Sequence, residues 1–78
     1  MASPAFSDPR LASVRLIATR AYEEQGKGRD LEACTLYSSA AEQILEIARD
    51  VKDEVVAGKL RERMRDYLTK AEVCSSLL

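Results

Sequence analysis

The chain contains no histidine and no tryptophan, and it has only two cysteines, two prolines, three glycines, three tyrosines and one phenylalanine in 78 residues. Without histidine it lacks the side chain most used for proton transfer near neutral pH and the commonest metal ligand, which argues against an enzyme and against a metal or other cofactor. Twelve Lys and Arg stand against thirteen Asp and Glu, for a net charge of −1. No basic excess is available to neutralise a phosphate backbone, and few rings are available to stack on bases, so no nucleic-acid partner is expected. Cys34 and Cys74 lie far apart with no C-x-x-C spacing, and they read as small buried apolar residues of a reducing compartment. No apolar run approaches the roughly 20 residues of a membrane span. Met1 to Asp8 has no positive-then-apolar signal pattern. The expectation is a cytosolic protein, or a cytosolic module of a larger one, without membrane insertion.

What is present is helical. The composition is 46% apolar and 32% charged, as in a globular domain, and the length admits one small core. Pro4, Pro9, Gly26, Gly28 and Gly58 are the only breakers. Ser7 or Asp8 can cap a first helix with Pro9 in its first turn, and Gly26-Lys27-Gly28 can end it. Leu11, Val14, Ala18 and Ala21 share one side of that helix, flanked by Ile17 and Tyr22. Asp30 is the expected cap of a second helix, along which Ala33, Tyr37, Ala40, Ile44, Ile47 and Val51 step by four and three residues. Ala41, Leu45 and Ala48 widen this face enough to meet two neighbours. Acids at Asp53 and Glu54 suit a third helix start, followed by a line through Leu60, Met64, Tyr67, Ala71 and Cys74. These patterns predict an all-α, three-helix, up-down-up antiparallel bundle over 8–78, preceded by a flexible segment over 1–7.

The order Ala21-Tyr22-Glu23-Glu24, a Gly and Lys turn, Glu32-Ala33 with Leu36-Tyr37 and Ala40, and finally Tyr67-Leu68-Thr69-Lys70-Ala71-Glu72 resembles the MIT domain, the microtubule-interacting and trafficking module. The resemblance covers about residues 11–77 and is most specific in the last element, which is similar to the family's Tyr-Leu-x-Arg-Ala-Glu run. Lys70 stands in place of the arginine, Gln25 and Thr69 stand where acids are common, and Asp30-Leu31 replaces the usual aromatic. The resemblance implies a non-catalytic module that binds short C-terminal tail motifs of ESCRT-III subunits and recruits its parent protein to endosomal or other membrane-remodelling sites. The stop at Leu77-Leu78, directly after the third helix, reads as a boundary within a longer protein.

Beside the core line of the third helix, Arg61, Arg65, Leu68, Glu72 and Ser75 form a second line on which Leu68 is the only large apolar residue. With Met64 at its edge and Ser38, Ala41 and Leu45 on the second helix, this line outlines a groove for an amphipathic peptide helix. Arg65 and Glu72 would orient the ligand's charges. The same line also fits a solvated face with Leu68 completing the core. The resemblance implies a second groove as well, between the first and third helices. Nearly every other large apolar residue is expected inside, and a monomer is expected. Two other readings fit less well: a self-associating helical protein that covers the wide second-helix face with another copy, and a small helical enzyme, which would need charges on its inward seams.

Overall fold

The computed structural model describes residues 9–76, which form three α-helices: α1 (Pro9–Gly26), α2 (Asp30–Asp50) and α3 (Glu54–Ser76). Pro9 opens α1, where its missing N–H would have had no intrahelical partner. The expected caps Ser7 and Asp8 and the segment 1–7 lie outside the described residues. At the other end, Gly28 adopts φ +79°, a left-handed conformation that costs glycine no Cβ clash. The chain closes there in a Schellman turn. The Arg29 N–H donates to the Glu24 carbonyl at 2.9 Å, and the Gly28 N–H donates to that of Gln25 at 3.0 Å, which satisfies two carbonyls the helix would leave open. An apolar contact usually accompanies this motif. Here an ion pair takes its place, with Arg29 Nη1 3.4 Å from Glu24 Oε2.

This turn explains why the second helix begins differently from expectation. Arg29, the last residue of the Schellman turn, already occupies the N-cap position, and no side chain caps the helix. Asp30, expected as the cap, is instead the first helical residue. With Glu32 it places negative charge in the first turn, where the helix dipole favours it. The α2–α3 link is capped conventionally. Asp53 Oδ1 accepts the N–H groups of Val55 and Val56 at 2.9 and 3.3 Å, so α3 starts at Glu54 and runs 23 residues.

α2 packs closely along both neighbours, while α1 and α3 approach each other closely at few points. Two apolar clusters follow one another along a body of 40 × 18 × 16 Å. One joins Leu11 and Val14 of α1 to Ala40, Ile44 and Ile47 of α2 and to Val56 and Leu60 of α3. The other joins Ala21, Ala33, Tyr37, Ala71 and Cys74. The first is built mainly of branched side chains, the second of three alanines and Cys74 around one tyrosine, so the helices touch through small residues at that end. Burying Ile44 and Ile47 completely contributes about 1.5–3 kcal/mol each before chain entropy is counted. Ala18 and Ile17 are only half-buried. Tyr22, expected to flank the core, is 73% exposed.

Candidate docking groove

Helical spacing on α2 and α3 decides which side chains can form a groove. On α3, the line Arg61, Leu68, Ser75 is displaced from the buried line Leu60, Ala71, Cys74 by about one position, or roughly 100°. Arg61, Arg65 and Glu72 are exposed, and Leu68 is 40% exposed, so Leu68 sits at the lip of the bundle and does not complete its core. Met64 is half-buried and packs against the larger apolar cluster. On α2, Ser38 and Leu45 are half-buried. Ala41, expected as part of the opposite wall, is only 2% exposed and is buried with the core residues. By burial the expected set therefore divides into a buried Ala41, half-buried Ser38, Leu45 and Met64, and exposed Arg61, Arg65, Leu68 and Glu72.

The charged side chains of α3 share an electrostatic property that sequence reading did not identify. Arg10 pairs with Asp50 at 2.8 Å, and Lys27, Arg29, Glu24 and Glu32 form a network near the first turn. These pairs belong to α1, α2 and their link. Among the described residues no charged side chain of α3 takes part in an ion pair. Lys59 and Arg63, Arg61 and Arg65, and Glu62 and Asp66 place like charges four residues apart, although Asp66 and Lys70 place opposite ones at the same spacing. Each like-charge pair costs a helix about 0.2–0.5 kcal/mol.

One α3 cation is used internally. Lys70 Nζ lies 5.9 Å from the ring centres of both Tyr37 and Tyr67, which stack on each other at 6.3 Å. The Tyr37 hydroxyl donates to Gln25 Oε1 at 3.1 Å. Burial, followed by the nearby Cys74, Tyr22 and Tyr67 groups, pushes the Tyr37 phenol above its ordinary pKa. Lysine at position 70 thus braces the tyrosines that hold α1, α2 and α3 together at this end.

The exposed apolar surface is broader than expected. Leu16, Tyr22, Leu31, Val55 and Val73 are each 50–73% exposed, more than Leu68. They are spread over all three helices and do not form one face. A shallow depression of about 410 Å³ lies between α1 and α2, lined by Arg20, Glu24, Leu31, Glu32, Thr35 and Leu36. It shares no residue with the expected groove, and its two acids already hold Arg29. Among the described residues no group of His, Cys, Asp and Glu is arranged to hold a metal ion. No helix there is long and apolar enough to cross a membrane. Comparison with protein-family models, with curated proteins and with solved structures found no match.

Proposed function

We propose that this chain is a non-catalytic docking module. It takes an amphipathic peptide helix into the groove between α2 and α3, in the manner of the MIT domains whose sequence it resembles, and its ligands are the C-terminal tails of ESCRT-III subunits. In this reading the helices run up-down-up, so that α2 and α3 present an antiparallel pair of walls to an incoming helix. The module then recruits whatever protein carries it to endosomal or other membrane-remodelling sites.

The observation that carries the reading is the condition of the rim: Arg61, Arg65 and Glu72 flank a half-exposed Leu68, and none has an internal ion-pair partner. A leucine offers a ligand apolar contact area. Unpaired charges of both signs offer it register and orientation, which is the usual role of rim charges at an interface. A solvated face with no ligand would gain stability from opposite charges at the same spacings. The test is a titration of the chain against a panel of ESCRT-III C-terminal tail peptides. Saturable one-to-one binding by at least one tail supports the reading, and silence across the panel overturns it.

A further inference from the structure

Cys34 and Cys74 are both free thiols. Cys74 is fully buried on α3 beside Ala21, Ala33, Tyr37 and Ala71, and the half-buried Cys34 of α2 packs against that same cluster. Burial, followed by the nearby Asp30 and then Cys34, raises the Cys74 pKa. We propose that Cys34 and Cys74 are an oxidant-responsive pair that closes a disulfide between α2 and α3.

The small residues at this end favour such a bond. A disulfide needs Cα atoms about 4.4–6.8 Å apart, whereas packed helix axes usually lie 8–10 Å apart, so the helices must meet through small residues. Ala33 and Ala71 supply them. Exposure assigns the order of events. Cys34, the accessible thiol, attacks hydrogen peroxide as its thiolate. The O–O bond breaks, Cys34 becomes a sulfenic acid, and the other oxygen leaves as water after taking up a proton. The Cys74 sulfur then attacks the Cys34 sulfur and expels hydroxide, which leaves as water with the Cys74 proton. The two sulfurs together lose two electrons to one peroxide. The bond pins the first turns of α2 to the last turns of α3, independently of whether the groove binds a peptide.

The test treats the intact chain with hydrogen peroxide and compares it with Cys34→Ser and Cys74→Ala. The wild-type monomer should lose about 2 Da, one hydrogen from each thiol. A non-reducing digest should yield a linked peptide pair containing residues 34 and 74, and the melting temperature should rise by roughly 10 °C. Each variant should lose the link and the stabilisation. Oxidation of Cys34 to a sulfinic acid with Cys74 still a thiol would overturn the proposal, as would a link between two chains or no reaction. If a variant does not fold, the wild-type digest decides alone.

Discussion

The Tyr37 hydroxyl donates to the side-chain oxygen of Gln25 at 3.1 Å, so the buried tyrosine of α2 holds the last turn of α1 beside the Schellman turn. The bond is part-buried, and Gln25 is itself half-exposed, so water can replace the hydroxyl if it is removed. Tyr37→Phe, which keeps the ring between Tyr67 and the alanines, should cost about 0.5–1.5 kcal/mol. Tyr37→Ala should cost about 3–5 kcal/mol, because it also empties the cluster. Urea denaturation of both variants checks the difference.

High pH should weaken the fold. Burial is the largest cause raising both the Cys74 thiol and the Tyr37 phenol above their ordinary values of 9.0 and 10.0. The unfolded chain therefore releases these protons before the folded chain does. Their contribution to stability is complete below pH 9 and is lost as pH rises through the folded values. Melting temperatures from pH 7 to 11 should be flat and then fall, and the Cys74→Ala and Tyr37→Phe variants should each flatten part of the fall.

Gly58 lies inside α3, and a Cβ added there meets nothing within 4 Å. Gly58→Ala should therefore stabilise the chain by about 0.5–1 kcal/mol, since glycine only loses more backbone freedom at this position. Asp53→Ala removes the acceptor of two α3 N–H groups and should cost about 1 kcal/mol. Chemical denaturation measures both. A loss of stability in Gly58→Ala would show that the glycine serves a backbone geometry that a helix interior does not require.

Apolar periodicity made much of this fold legible. Three helices formed, the second break falling at 51–53 before the Asp53 cap and not at Gly58, which lies inside α3, and Leu11, Val14, Ala33, Tyr37, Ala40, Ile44, Ile47, Leu60, Ala71 and Cys74 all proved buried. The α2 cap was misassigned because a side-chain preference pointed to Asp30, while the short link gave the position to Arg29 through backbone hydrogen bonds. Exposure of Tyr22, Leu16 and Leu31 was also missed. A hydrophobic residue type does not reveal its exposure when α1 and α3 approach each other so little. Among the expected docking residues, spacing did not separate the buried Ala41 from the half-buried Ser38 and Leu45. That distinction depends on how closely α2 and α3 approach.

Leu68 tests the central claim most directly. Leu68→Asp puts a charge on an already half-exposed position of the proposed docking surface, so the far-ultraviolet spectrum should be unchanged and the melting temperature little affected. Calorimetric titration with an ESCRT-III tail peptide that binds the wild type should show at least about a tenfold loss of affinity, which corresponds to about 1.4 kcal/mol. Wild-type affinity in a folded Leu68→Asp chain would contradict the placement of the ligand between α2 and α3.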